Sequence, residues 1–190
     1  VPNLKEGKYK WLVISNLVAS FGMLISFIYN GYFWLSIAFS TMALLTSFVF
    51  YFVFSKDMKG ISDISKKWLH AAFFFAVFSS LGVFTLSIMM ATKNFSQDVF
   101  LALEYFYLHF QYNGFFIFSC IAFLLNNLKK MGVAPSEKEN NLIFWLSFVG
   151  CLVGYGLSVL WFKMPLWMFA AITVTTLMQT WGAYLLFKVI

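Results

Sequence analysis

The residues of this sequence that are suited to chemistry are concentrated in one otherwise apolar segment. Between Leu103 and Gly114 it carries a carboxylate, an imidazole, two amides and phenols, namely Glu104, Tyr105, His109, Gln111, Tyr112 and Asn113. An imidazole can ligate a metal or a heme iron, relay protons, or serve as a hydrogen-bonded structural group. All three roles remain open for His109.

On an α-helix these polar residues fall on one side. At about 100° per residue they span an arc of about 200°, and Phe106, Phe110 and Ile117 lie outside it. The pattern predicts an apolar side that faces lipid and a polar side that faces the bundle interior or another subunit. Tyr105, His109 and Asn113 follow at intervals of four, so we expect them to form a hydrogen-bonded ladder.

The composition is that of a polytopic membrane protein. Hydrophobic residues make up 62% of the 190 residues, charged residues make up 11%, and the mean hydropathy is +0.82. A soluble domain carries about 25% charged residues. Water-soluble enzymes, nucleic-acid binders and disordered proteins are therefore excluded. The net charge of +6 comes from lysines in the gaps between apolar runs, so no nucleic-acid partner is expected.

Six apolar runs are long enough to cross a bilayer as helices, for which about 20 residues are needed. The sequence predicts an all-α, six-helix bundle that forms a single transmembrane domain over residues 1–190. The chain begins with Val1, which is expected of a processed or trimmed protein or of the carboxyl-terminal part of a longer one. The predicted spans cover approximately residues 11–29, 32–54, 68–91, 99–128, 141–162 and 165–187.

The lysines predict the orientation of these spans. Eleven lie at the two chain ends and in the second and fourth loops, whereas the other side has only Lys93 and Lys163. Lysine is enriched in cytoplasmic loops, so we expect both termini to be cytoplasmic. The lipid bilayer is the expected environment, and a bacterial inner (plasma) membrane fits the pattern.

Small and polar residues in the last two spans predict helix contacts. Gly150 and Gly154 form a GxxxG pattern, which favours close helix packing within the chain over dimerisation. Gln179 in the sixth span is expected to hydrogen-bond to a neighbouring helix, and the polar face of the fourth span is a suitable partner.

The segment His109-Phe110-Gln111-Tyr112-Asn113-Gly114-Phe115 resembles the helix of heme-copper oxidases and nitric-oxide reductases that carries the first histidine of their non-heme metal site. It also resembles uncharacterised bacterial membrane proteins related to that superfamily. The resemblance implies that His109 is a metal ligand and that Asn113 stands where the reductases place a carboxylate. The family's further histidines belong on later helices, and spans five and six contain none, so no complete oxidase centre is expected.

Three functions follow from these observations. The first is an oxidase-like membrane domain in which His109 ligates a heme or a metal. The second is a small-solute or ion transporter or channel with a polar path along the fourth span. The third is a non-catalytic subunit whose polar face docks onto another membrane protein or a second copy.

Overall fold

The computed structural model of the protein describes residues 6–30, 34–59, 63–92 and 96–189. These residues form six long helical segments and no strand. Within the described residues, five helices are long and apolar enough to cross a membrane, namely Gly7–Tyr29, Trp34–Asp57, Lys66–Met90, Gln97–Lys130 and Glu137–Val159. The fold is therefore compatible with an integral membrane protein, as the sequence predicts.

The sixth predicted span also forms a helix, but it is less apolar than the other five. It covers Leu166–Val189, which is 24 residues and long enough to cross a bilayer. Four threonines and Gln179 interrupt its apolar sequence and lower its hydropathy. It is not among the five helices that satisfy both length and apolarity.

The helices are numbered in chain order, and two of the six segments contain a local change of helix type. The fourth segment changes from α-helix to π-helix and back, and the fifth ends in a 3₁₀-helix. The elements are α1 Glu6–Asn30, α2 Trp34–Asp57, α3 Lys66–Thr92, α4 Gln97–His109, a π-helix Phe110–Phe116, α5 Ile117–Lys130, α6 Glu137–Gly154, a 3₁₀-helix Tyr155–Val159 and α7 Leu166–Val189.

The chain divides into two compact units, and the first, Val1–Ile61, contains α1 and α2. The two helices pack closely at Gly22, where a Cβ atom would overlap the ring of Phe39. The Ser15 and Thr46 hydroxyls lie 3.1 Å apart and hydrogen-bond between the helices. Small residues let the helix backbones approach each other without relying on hydrophobic exclusion from water, which lipid does not provide.

The second unit, Ser62–Ile190, contains the remaining elements and an aromatic core. Its buried rings come from α3, the fourth span and α6, and Gly114 of the π-helix lies directly against the Phe75 ring. Edge-to-face and stacked rings contribute specific packing beyond the area they bury. The core rings include Trp68, Phe75, Phe110, Phe118 and Phe144.

One end of this unit is held by helix caps. The Ser136 hydroxyl accepts a hydrogen bond from the Glu139 amide, and the Glu139 carboxylate accepts one from the Ser136 amide, so α6 begins in a capping box. At the end of α5, Gly132 adopts a positive φ of 76° and the Val133 amide donates to the Leu128 carbonyl. This is a Schellman cap, which requires glycine or asparagine at the left-handed position.

The predicted lipid-facing side of the fourth span is wrong at Phe110 and Phe106, whereas its third residue, Ile117, is 50% exposed. Phe110 is only 2% exposed, and its ring stacks on Phe75 at 5.7 Å and meets Phe78 edge-on at 4.8 Å. Phe106 packs beside it, with ring centroids 4.8 Å apart. The prediction failed because it placed polar residues inside by rule, whereas the interior of this unit is built from aromatic rings.

Candidate functional site

His109 is the last residue of α4 and both of its ring nitrogens are hydrogen-bonded. Its Nε2 lies 2.9 Å from the carbonyl oxygen of Cys151 in α6. Because a carbonyl only accepts, Nε2 carries the hydrogen and donates it. The Nδ1 atom then accepts from the Asn113 amide nitrogen, 3.2 Å away. The network therefore assigns a neutral imidazole protonated at Nε2.

The Cys151 carbonyl lies in the last turn of α6, next to the change from α-helix to 3₁₀-helix. In a continuous α-helix the amide of Tyr155 would donate to the Cys151 carbonyl, four residues earlier. Here it donates to the Val153 carbonyl, and a 3₁₀-helix follows. The His109 imidazole thus donates to a carbonyl beside the change of helix type. The π-helix begins immediately after His109, so two helix irregularities meet at one hydrogen bond.

Tyr155, the first residue of the 3₁₀-helix, packs on the same part of the fourth span. Its hydroxyl donates to the Ala102 carbonyl of α4 at 2.8 Å. Its ring contacts Phe106 edge-on, with centroids 5.3 Å apart, and lies 5.9 Å from the His109 ring. The sequence analysis missed Tyr155 and the Cys151 carbonyl, because a backbone acceptor created by a helix break leaves no mark in residue type.

Gln179 of α7 lies where the two predicted packing glycines make room for it. A Cβ atom at Gly150 would overlap the Gln179 side chain. A Cβ atom at Gly154 would lie 3.7 Å from the Gln179 Oε1 atom and 3.8 Å from the His109 Cε1 atom. The structure therefore brings His109 and Gln179 together beside Gly154, and Gly150 provides the close approach of α7 to α6.

The Gln111 side chain contacts α3 instead of His109. Its Oε1 atom accepts a hydrogen bond from the Ser79 hydroxyl of α3 at 3.0 Å, and Ser79 is almost completely buried. Gln111 thus ties the π-helix to α3 and does not join the His109 group. Ser79 was also missed by the sequence analysis, since a serine in an apolar helix usually bonds to its own backbone.

The remaining four predicted residues lie on the surface of the second unit. Tyr105 is 44% exposed and contacts Trp161 at 5.4 Å, and Tyr112 is 58% exposed and stacks on Phe116 at 5.9 Å. Glu104 and Asn113 are exposed too. We call these four residues the exposed polar stripe. Of the predicted ladder, the hydrogen bond between Asn113 and His109 is formed, whereas Tyr105 packs on an aromatic ring.

The described residues around His109 form no cluster of metal-ligating side chains. Both ring nitrogens are already hydrogen-bonded, and Cys151 contributes its carbonyl rather than its thiol. No group of three or more His, Cys, Asp or Glu side chains able to hold a metal occurs in the described part of the chain. A metal ion in a protein usually needs several such ligands, whereas a heme iron can be held by one histidine, so a heme role of His109 stays a prediction.

Comparisons of the chain with protein-family models, with curated proteins and with solved structures found no match in any of the three. The class of protein therefore rests on the fold and the site. The chain is all-helical, and its apolar helices suit an integral membrane protein.

Proposed function

We propose that this chain is a non-catalytic integral membrane subunit that docks onto another membrane protein through its exposed polar stripe. The observation that carries the proposal is the exposure of Glu104, Tyr105, Tyr112 and Asn113 on a helix of membrane-spanning length. Polar groups facing hydrocarbon are costly, so helices in membranes place such groups against protein or water. A partner helix along the stripe would remove that cost.

The packing on the opposite side of the same helix supports docking over an internal path. There Phe106 and Phe110 interlock with Phe78 of α3, with ring centroids 4.8 to 5.0 Å apart. Closely packed rings leave the polar side chains of the stripe on the outside of this unit. A protein surface is therefore the environment that suits them best.

The stripe also indicates the chemistry of the partner. Glu104 forms no ion pair with any described residue, and Asn113 lies nine residues further along, or about 13 Å at the usual helical rise. A partner helix with a basic residue near the membrane boundary and an amide or hydroxyl about 13 Å deeper would match both. Two copies related by a two-fold axis along the membrane normal would bring their Glu104 carboxylates together, which disfavours a homodimer through this face.

The distribution of lysines supports the orientation that goes with this function. We infer that both chain ends are cytoplasmic and that the membrane is a bacterial inner membrane, because eleven of the 13 lysines fall on the side of the termini. Glu104 then lies toward the outer boundary, where a partner's basic residue would remain partly hydrated.

A photo-crosslinking amino acid at position 112 tests the proposal in native membranes. The same group at Trp181, which is similarly exposed at 54% on α7, is the matched control. We expect one discrete heteromeric product from position 112, absent from position 181 and lost when Glu104→Gln is added. Products that are equal at both positions, or unaffected by Glu104→Gln, would contradict docking through the stripe.

Transport is a second candidate, favoured by the two helix irregularities that meet at His109. Interrupted helices and π-helices recur at membrane transport and binding sites. Solute flux in reconstituted vesicles that is abolished by Glu104→Gln or His109→Gln would support this reading. A heme or metal role for His109 would instead give an absorption band or bound metal that is lost in His109→Ala.

A further inference from the structure

One end of the second unit carries a concentration of lysines that the docking function does not use. Four helix ends contribute to it, and they hold six lysines against three acidic residues. We call it the lysine-rich end. Its lysines are Lys66 and Lys67 at the start of α3, Lys129 and Lys130 at the end of α5, Lys138 at the start of α6 and Lys188 at the end of α7.

Hydrogen bonds hold three of these helix ends together. The Lys129 ammonium donates to the Asp63 carboxylate at 3.1 Å, which joins the end of α5 to the residues before α3. The indole of Trp68 donates to the buried Asn140 side chain at 2.8 Å, which joins α3 to α6. The end of α7 belongs to the same region because Lys188 interacts electrostatically with Glu139.

The three acidic residues of this end are already engaged within the protein. Asp63 pairs with Lys129, Glu139 closes the capping box of α6, and Glu137 interacts with Lys67. Lys130 and Lys138, by contrast, are exposed and form no ion pair with any described residue. The lysine-rich end therefore presents uncompensated positive charge at the end of α5 and at the start of α6.

Exposed apolar side chains continue from both of these lysines along their helices. On α6, Leu142 and Trp145 follow Lys138 at positions i+4 and i+7, and they are 50% and 58% exposed. On α5, Phe123 precedes Lys130 by seven residues and is 65% exposed. Residues at these spacings share one helix face. Each face thus combines a cation at the helix end with an aromatic ring about 10 Å further along.

We propose that the lysine-rich end binds the phosphate of an anionic phospholipid, with Lys130 and Lys138 contacting the headgroup and the adjoining apolar faces contacting the acyl chains. Basic clusters at the ends of membrane helices attract anionic headgroups, and aromatic side chains favour the interfacial level. The apolar continuation points to a lipid rather than to free phosphate, which would use the lysines alone.

Thermal unfolding of the full chain in neutral detergent, titrated with short-chain phosphatidylglycerol, measures this binding. In Lys130→Gln/Lys138→Gln we expect an apparent affinity about thirty-fold weaker, which corresponds to about five-fold per lysine. The charge-retaining pair Lys130→Arg/Lys138→Arg should bind like the parent. Lys93→Gln/Lys163→Gln removes the same charge at the two lysines that follow α3 and the 3₁₀-helix in sequence, and it should leave the affinity unchanged.

Two outcomes would overturn the proposal. The first is an equal loss of affinity in both glutamine pairs, which would show a general charge effect. The second is stabilisation by inorganic phosphate that matches that of phosphatidylglycerol at equal concentration, which would show that the lysines bind free phosphate. Phosphatidylcholine should give little stabilisation in any variant. None of these readouts depends on the presence of a partner protein.

Discussion

The His109 Nε2 atom and the Cys151 carbonyl oxygen, 2.9 Å apart, join the irregular points of two helices. His109 precedes the π-helix of the fourth span, and the Cys151 carbonyl is the acceptor that the Tyr155 amide no longer reaches. A side chain of the fourth span is thus hydrogen-bonded to the backbone of α6. The hydrogen bond gives His109 a defined structural role in the second unit.

His109→Leu should destabilise the protein because it leaves the Cys151 carbonyl without its donor. An unpaired buried polar group costs about 1–3 kcal/mol, and hydrogen bonds in membrane proteins are commonly at the lower end of that range. Reversible unfolding in mixed micelles measures the loss. His109→Gln, which retains a side-chain donor, should lose less, and a leucine variant as stable as the parent would contradict this role.

The two glycines of α6 should respond differently to the same substitution. Gly150→Ala places a methyl group into the Gln179 side chain, and overpacking of this kind costs about 1–3 kcal/mol. Gly154→Ala places its methyl group at an ordinary contact distance of 3.7 Å from the Gln179 Oε1 atom and should be nearly neutral. Unfolding free energies of both variants make the comparison.

A second substitution separates this contact from a general intolerance of alanine at position 150. Gln179→Ala removes the Cγ and Cδ atoms that the new methyl group would overlap and leaves only Cβ, at 3.3 Å. Gly150→Ala should therefore cost much less stability in the Gln179→Ala background than in the parent. Equal losses in both backgrounds would show that Gly150 is required for another reason.

The ion pair between Asp63 and Lys129 should make stability depend on pH in acid. Partial burial raises the pKa of the Asp63 carboxyl, but hydrogen bonds from the Ser65 hydroxyl and amide and from the Lys129 ammonium lower it by more. The pKa therefore lies below its usual range in the folded state. The contribution of the Asp63 carboxylate to the free energy of unfolding is complete above the unfolded-state pKa. It is lost as pH falls through the lowered folded-state pKa.

Asp63→Asn provides the comparison for this prediction. The difference in unfolding free energy between the parent and Asp63→Asn should be constant near neutral pH and should shrink toward pH 3. Lys129→Gln should reduce the pH dependence without abolishing it, because the Ser65 hydrogen bonds remain. A difference that grows on acidification would have the wrong sign for a lowered pKa.

The helices could be predicted from the sequence because hydropathy is averaged over about 20 residues, and a few polar residues change that average little. Each of the six predicted spans matches one helical segment, and Tyr32 and Phe33 of the second span lie outside the described residues. Gln179 lies against Gly150 of α6. The expected hydrogen bond from Gln179 to the polar face of the fourth span stays a prediction.

The orientation of the fourth span could not be predicted, because a helical wheel assumes a constant angle per residue and a polar interior. Neither holds here. The π-helix of Phe110–Phe116 changes the angle in the middle of the polar segment. Phe110 also turns inward, since stacking on Phe75 buries a whole ring. Both features depend on the neighbouring helix α3, which a single-helix projection does not contain.

The inferred topology predicts which engineered cysteines a membrane-impermeant thiol reagent reaches from outside. Lys163→Cys in the loop between the 3₁₀-helix and α7 should react in intact cells, whereas Lys138→Cys at the start of α6 should react only after permeabilisation. Both positions are exposed, so accessibility within the protein is comparable. Reaction of Lys138→Cys in intact cells would reverse the proposed orientation.

Docking through the exposed polar stripe is tested most directly by the mass of the intact assembly extracted in native lipid particles. We expect the parent to carry a stoichiometric heterologous membrane subunit and Glu104→Gln/Tyr112→Leu to release it, while the variant's helix content stays unchanged. The control Phe123→Leu, at an exposed apolar position on the same span, should retain the subunit. A parent chain that runs alone, or an assembly that survives Glu104→Gln/Tyr112→Leu, would contradict the proposed function.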